Sequence, residues 1–209
     1  MEFKLTQDGS YTVYNQLYNE HYHSISGAFE EAQQKHVKAL GIEDNMKILD
    51  FCFGLGYNSI LALKNHNNIE IIGLENDINI LEMIKNLKVP DEIKKEYDSF
   101  RNIANSRDIC NKQNNRIKII LDDALKSIKI LPNNYFDRIF FDPFSPKKQP
   151  KMWSESVFQN MYRIMKPKAK LSTYSCAKMV RRNMESAGLE VIDGPVIGRK
   201  SPATIAIKL

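Results

Sequence analysis

The sequence is poor in the residue types that most directly announce chemistry. Its three cysteines, Cys52, Cys110 and Cys176, are scattered over 209 residues, with no C-x-x-C and no Cys/His pair at ligand spacing. A disulfide framework and a zinc site are therefore not expected, and no metal is assigned. Only four histidines occur, His21, His23, His36 and His66, and none belongs to an H-E-x-x-H pattern. No apolar run approaches the ~20 residues of a membrane helix. The opening stretch MEFKLTQDGSYTVYN has no signal-peptide core. Internal repeats and low-complexity tracts are also missing. Charge of one sign is only slightly in excess: 30 Lys+Arg against 25 Asp+Glu gives +5. Such an excess permits a polyanionic partner without requiring one. These absences point to a reduced, cytoplasmic, membrane-free chain. Its length suits one domain at about 150 residues each and can bury a core without cross-links; a monomer is favoured, with the oligomeric state open.

What is present is a rhythm. From about residue 46, short apolar runs alternate with segments of helical spacing. Strand-like runs cover 47–51, 69–74, 116–121, 136–141, 170–174, 189–192 and 203–207. Helical patterns fall at 59–63, 79–87, 124–130, 153–165 and 178–187. Strands separated by helices imply right-handed βαβ units and a parallel sheet covered on both faces. The last two strands have no helix between them and should be antiparallel. This predicts an α/β class I Rossmann-like methyltransferase fold: seven strands, mostly parallel, with an antiparallel C-terminal hairpin. Two segments stand outside the rhythm. Residues 1–45 form an N-terminal extension expected to pack over the cofactor site of the 46–209 domain. Residues 88–115 are a polar insertion, expected to be a helical cap near that site.

The first strand ends in Asp50-Phe51-Cys52-Phe53-Gly54-Leu55-Gly56. Two glycines there let the backbone approach a ligand as the chain enters a helix. Glu75 follows 19 residues after Gly56, at the end of the second strand, where a carboxylate can accept ribose hydroxyls. Asp122-Asp123-Ala124 follows the third strand. Asp123 can accept from an adenine amino group, or it can simply cap the next helix. Three such signals at successive strand ends suggest an adenosine-type cofactor. S-adenosylmethionine fits better than a dinucleotide because the loop lacks a full G-x-G-x-x-G.

The fourth strand runs into Asp142-Pro143-Phe144-Ser145-Pro146-Lys147-Lys148. Asp-Pro-Phe after a fourth strand is similar to the (D/N)PP(F/Y) signature of methyltransferases acting on amines. A methyl sulfonium is attacked in line by a neutral nitrogen lone pair, so an acceptor must orient the N–H bonds. Asp142 can do so as carboxylate or backbone carbonyl, and can take the leaving proton directly or through water. Phe144 can stack on a base or cover the cationic sulfonium.

Longer strings carry a resemblance over nearly the whole chain outside the insertion: DGSYT (8–12), EHYHSISGAFEEA (20–32), DFCFGLGYNS (50–59), GLEND (73–77), FFDPFSPKKQPKMWS (140–154), TYSCAKMVRR (173–182) and GRKSPAT (198–204). The chain resembles the MnmC-like tRNA methyltransferases. The resemblance implies S-adenosylmethionine as methyl donor and the aminomethyl group of a tRNA wobble uridine as acceptor. It implies cofactor roles for Asp50, Phe53, Gly54, Gly56, Asn58, Glu75, Asp123 and Asp142, and places Asp142 and Phe144 beside the reacting amine. Tyr22 and His23 are expected over the cofactor pocket. The bifunctional relatives carry a flavin oxidoreductase domain that exposes the amine; 209 residues leave no room for it, so a free aminomethyl substrate is expected.

Lys147, Lys148, Lys151, Arg181, Arg182, Arg199 and Lys200 lie in or beside these strings. If they converge, they form a phosphate-binding rim for a tRNA anticodon stem-loop. Trp153 either stacks on a flipped base or packs in the core. Two other readings stay open: a small-molecule amine transferase related to polyamine synthases, and a non-catalytic RNA-binding protein on a methyltransferase fold.

Overall fold

Residues 2–197 and 201–209 are described by the computed structural model. The chain begins with β1 (Phe3–Leu5), β2 (Tyr11–Asn15) and β3 (Glu20–His21), a small antiparallel sheet in that order. Helix α1 (Ala28–Glu31) continues directly into a π-helical stretch, Ala32–Lys38. The start of α1 explains why two distant strings belong together. Gly27 precedes the helix and has no side chain to cap it, and a Cβ there would meet Asp8 Oδ2 at 2.5 Å. Asp8 and Ser10 fill the role instead: Ser10 Oγ accepts from Ala28 N and Phe29 N, and Asp8 Oδ2 from Glu30 N. The first orphan N–H groups of the helix are thus satisfied from across the chain.

The main domain then runs β4 (Lys47–Phe51), α2 (Tyr57–Ala62), β5 (Glu70–Glu75), α3 (Ile78–Met83), α4 (Asp91–Phe100), α5 (Ile103–Ser106), β6 (Asp108–Cys110), β7 (Arg116–Leu121), α6 (Ala124–Ile130), β8 (Phe136–Phe141), α7 (Glu155–Ile164), β9 (Met165–Thr173), α8 (Lys178–Ser186), β10 (Glu190–Asp193) and β11 (Thr204–Ile207). The sheet order is β10-β11-β9-β8-β4-β5-β7-β6. From β9 to β7 all pairs are parallel; β11 and β10 turn antiparallel at one edge. The Rossmann-like methyltransferase architecture holds, with eight strands rather than seven. The extra strand is β6, from the insertion, antiparallel on β7 with Ile109 opposite Ile117. Its three residues, exposed at both ends, are too few for periodicity to reveal them.

Strand alternation sends each residue to one of two cores. Ile48 of β4 and Phe140 of β8 join the side covered by the N-terminal segment and α2 to α5. Leu49, Phe51, Ile139 and Phe141 face α6 to α8. Each such fully buried side chain contributes about 1.5–3 kcal/mol. By the same period of two, Asp50 shares the Ile48 face, under α2. The rest of the insertion buttresses the glycine turn from behind. Ile93, Tyr97 and Phe100 form the buried stripe of α4, and Tyr97 Oη–H donates to Leu55 O at 3.1 Å. No residue of 88–115 lines the cavity described below, so the insertion supports the loop where a cap over the site was expected. Among the described residues no helix is long and apolar enough to cross a membrane.

Candidate active site

β4 lies between β5 and β8, where the chain reverses its direction of travel across the sheet, and open α/β sheets bind ligands at that crevice. A cavity of about 620 Å³ opens there. That is within the usual ~300–1,000 Å³ of small-molecule sites.

One wall follows β4 and β5. Gly54 (φ +55) and Gly56 (φ +79) adopt left-handed backbone, and so does Cys52 (φ +74). A Cβ on Gly54 would meet Tyr22 Cδ1 at 3.2 Å, so the bare glycine lets the Tyr22 ring lie over the turn. The Glu75 carboxylate is held by three backbone donors: Gly54 N at 2.8 Å, Asn76 N at 2.8 Å and Asp77 N at 3.0 Å. Burial pushes its pKa up, and these donors oppose that shift. Asp50 sits behind the wall, fully buried, with Oδ2 accepting from Ser59 Oγ at 2.6 Å and Oδ1 without a partner among the described residues. Burial holds it well above the usual carboxylate range.

The opposite wall is assembled from distant segments. Asp142 directly follows β8 with its carboxylate almost out of solvent; Asn58 Nδ2 donates to Oδ2 at 3.2 Å. Burial pushes the Asp142 carboxyl up to about 6. His23 and His36 are both buried, and burial lowers both imidazoles, His36 to about 4, so both are neutral at pH 7. Glu31 and Lys35 form a mostly buried ion pair at 2.6 Å. Phe144 stacks on Tyr18 with centroids 4.7 Å apart and meets the edge of Tyr22 at 5.0 Å. Its loop is pinned by four bonds: Ser145 N and Oγ to the Glu20 carboxylate, Trp153 Nε1 to Phe144 O at 2.8 Å, and Tyr174 Oη to Pro143 O at 3.0 Å.

Of the residues singled out in the sequence, Tyr22, His23, Gly54, Glu75, Asp142 and Phe144 line the cavity together. Asp50, Gly56 and Asn58 lie one layer behind. Phe53 is not brought to the cavity: its ring fills the space beside Gly56 and Gly73 in the core. Asp123 caps α6, accepting from Leu125 N at 2.8 Å, and Ala124 lines the cavity in its place. Trp153 is fully buried, so its indole holds the Phe144 loop and offers no face to a base. Lys147, Lys148 and Lys151 are exposed just beyond that loop, as is Arg182 on α8. Arg181 pairs with Thr204 Oγ1 and the Asp193 carboxylate. Arg199 and Lys200 lie outside the described residues. Sequence reasoning missed Tyr18, Glu20, Glu31, Lys35 and His36. For all but Tyr18 the signal was the density of Glu, His and Lys in EHYHSISGAFEEAQQKH, which extends a string already chosen.

A nucleoside with a cationic sulfonium fits these residues. Glu75 presents a carboxylate at the cavity, Gly54 keeps the turn bare, and Leu74, Ala124 and Met152 add apolar surface. Residues 88–209 match a family described as S-adenosyl-L-methionine-dependent methyltransferases. The chain is 30% identical over 213 residues to an uncharacterized protein of Methanocaldococcus jannaschii, covering 97% of this chain and 58% of that one. It is 27% identical over 218 residues to the tRNA 5-methylaminomethyl-2-thiouridine biosynthesis bifunctional protein MnmC of Leptospira interrogans, covering 94% of this chain and 34% of that one. The chain thus spans between a third and three fifths of these curated relatives. Among solved structures, MnmC2 from Aquifex aeolicus superposes with TM-score 0.84 at 29% identity, covering 98% of this chain and 69% of that one. Spermidine synthase from Thermotoga maritima reaches TM-score 0.60 at 15% identity over 96% of this chain and 63% of that one, a likeness of fold alone.

Proposed function

The chain belongs to the S-adenosyl-L-methionine-dependent methyltransferases, and from that premise we propose that it methylates the aminomethyl nitrogen of a 5-aminomethyl(-2-thio)uridine at the tRNA wobble position. The observation that carries this reading is Asp142: a buried carboxyl at the end of β8, beside a stacked aromatic group, in a chain similar to MnmC proteins over almost its whole length.

The cofactor supplies an electrophilic methyl group on a sulfonium. Glu75 would accept hydrogen bonds from its ribose hydroxyls, and the Gly54 turn would lie against its nucleoside. Asp142 has the remaining work. An amine reaches a cytoplasmic enzyme mostly as an ammonium, which has no lone pair to attack with. A carboxyl whose pKa is about 6 is ionised at pH 7 yet is a stronger base than an exposed aspartate. Asp142 accepts the N–H bonds, takes one proton, and leaves the lone pair directed at the methyl group. Phe144, braced between Tyr18 and Tyr22, supplies a face for the uracil ring. Lys147, Lys148 and Lys151 provide exposed cations for the stem-loop phosphates.

Labelled S-adenosylmethionine incubated with tRNA lacking the terminal methyl tests this directly. Label in 5-methylaminomethyluridine is the expected product. Cofactor binding without transfer to any such tRNA overturns the reading. Alkylation of a small polyamine, undisturbed by added RNA, transfers the site to the small-molecule class.

A further inference from the structure

His36 is a buried titratable group beside the site with no part in the chemistry described so far. It comes from the π-helical stretch and is fully buried. π-Helical segments are rare and recur at functional sites. Its Nδ1 pairs with Ser172 Oγ of β9 at 2.8 Å, and its ring stands edge-on to Phe140 at 5.9 Å. Among the described residues its Nε2 has no hydrogen-bond partner, and it lies 3.7 Å from Asp142 Oδ2. A buried polar atom left unpaired is costly, and this one faces the carboxyl that the proposed chemistry protonates.

We propose that His36 is a positioning residue for methyl transfer: its Nε2 accepts a hydrogen bond from Asp142 once Asp142 has taken the substrate's proton. The inference rests on the amine-methylation reading above. In the step, one N–H bond of the substrate ammonium breaks and its electron pair stays on nitrogen as the lone pair. The proton forms an O–H bond on Asp142 Oδ2, and that hydroxyl donates to the Nε2 lone pair. His36 keeps its own proton on Nδ1, donated to Ser172 Oγ. No other reactant is needed. With the His36 proton on Nδ1, Nε2 and the carboxylate are two acceptors facing each other at 3.7 Å, about 0.8 Å beyond a usual ~2.9 Å hydrogen bond, and a proton between them removes the repulsion. Burial lowers the imidazole to about 4 and raises the carboxyl to about 6, so the proton resides on Asp142.

The groups around the pair agree with this assignment. His23, after β3, is neutral; Glu31 of α1 and Lys35 of the π-helical stretch offset each other as an ion pair. Asn58 of α2 donates to Asp142, and buried Asp50 of β4 is held toward its protonated form. His23 Nδ1 is buried and unpartnered as well, but among the described residues His36 is the histidine that comes within 4.0 Å of the Asp142 carboxylate.

A hydrogen bond to the neutral acid raises its pKa, so removing the acceptor lowers it. His36→Leu should move the acid limb of the rate–pH profile down by on the order of one unit, and cut kcat on the plateau about tenfold with KM for tRNA little changed. His36→Gln, whose amide oxygen can reach the Nε2 position, should recover most of both. The second readout needs no substrate: the Asp142 side-chain carboxyl is titrated by carbon NMR in the full chain. Its midpoint should fall in His36→Leu and return in His36→Gln. An unchanged midpoint in folded His36→Leu overturns the proposal. If that variant does not fold, equal midpoints for His36→Gln and the shorter His36→Asn overturn it. A shifted midpoint in a wild-type enzyme that methylates no aminomethyl tRNA supports the Asp142–His36 bond and removes the substrate reading instead.

Discussion

One wall of the cavity, Cys52 to Gly54 with Glu75 to Asp77, presents backbone: bare glycine, left-handed turns, and a carboxylate gripped by three N–H groups. The facing wall presents side chains, His23, Glu31, Lys35, Asp142 and Phe144, delivered by the N-terminal segment and by the loop after β8. The first wall comes from two adjacent strands and the turns that follow them. The second exists only after residues more than a hundred positions apart have met; Glu20 binding Ser145 is the clearest such closure. The contrast teaches a division of labour. Recognition of a common cofactor can rest on rigid backbone. Base strength needs side chains whose burial is adjustable, and a segment outside the core domain supplies that burial.

The comparison can be broken most severely at Asp142. Asp142→Ala should slow methyl transfer by about 10²–10⁴-fold, the usual range for a lost general base. Calorimetric affinity for S-adenosylhomocysteine should stay within about threefold. Equal losses in both would mean the two walls are not separable. Glu75→Gln strikes the opposite wall. Losing charge-assisted bonds of ~1.5–3 kcal/mol should weaken cofactor affinity roughly ten- to hundredfold, with the rate recovering at saturating cofactor. A loss of kcat that saturation does not repair would give Glu75 a share in the chemistry.

Acidity sharpens the same contrast. Burial raises the Asp142 carboxyl to about 6, so its basic form is lost as pH falls through that value. Single-turnover rates should fall about tenfold per unit below pH 6 and level off above it, while cofactor affinity changes less. A limb near pH 4 would show that burial does not raise the Asp142 carboxyl. The smallest effect is at the exposed rim. Each of Lys147→Ala, Lys148→Ala and Lys151→Ala should reduce the slope of log affinity for tRNA against log salt by about 0.7–0.9 if it meets a phosphate. Rates at saturating tRNA should be unaltered. Slopes identical to wild type would remove these lysines from the interface.

Much of the backbone wall was legible because it is local. A strand, two glycines, a helix and an acid 19 residues later obey spacing rules that hold before any tertiary contact forms. The same locality gave the sheet its parallel core and its antiparallel hairpin. Legibility ended where one residue had two local meanings. Asp123 is favoured both as a ligand and as a helix cap, and its bond from Leu125 N displays the cap without deciding the other role. Trp153 and Phe53 were drawn into the core because large aromatic surface is best removed from water. Arg181 found Asp193 across the C-terminal hairpin, a pairing that spacing does not encode. The polar signature of residues 88–115 concealed the Ile93, Tyr97 and Phe100 stripe that carries it onto the glycine turn.

By itself, then, the sequence determined the family, the layered α/β architecture, the methyl-donor chemistry and the loop that bears Asp142, since periodicity, turn residues and contiguous motifs are properties of neighbours along the chain. Tertiary structure alone decided which acids are buried, which imidazoles are neutral, and that His36 faces Asp142. A pKa depends on the solvent excluded and the partners brought near from every direction, and those are set only when distant segments pack.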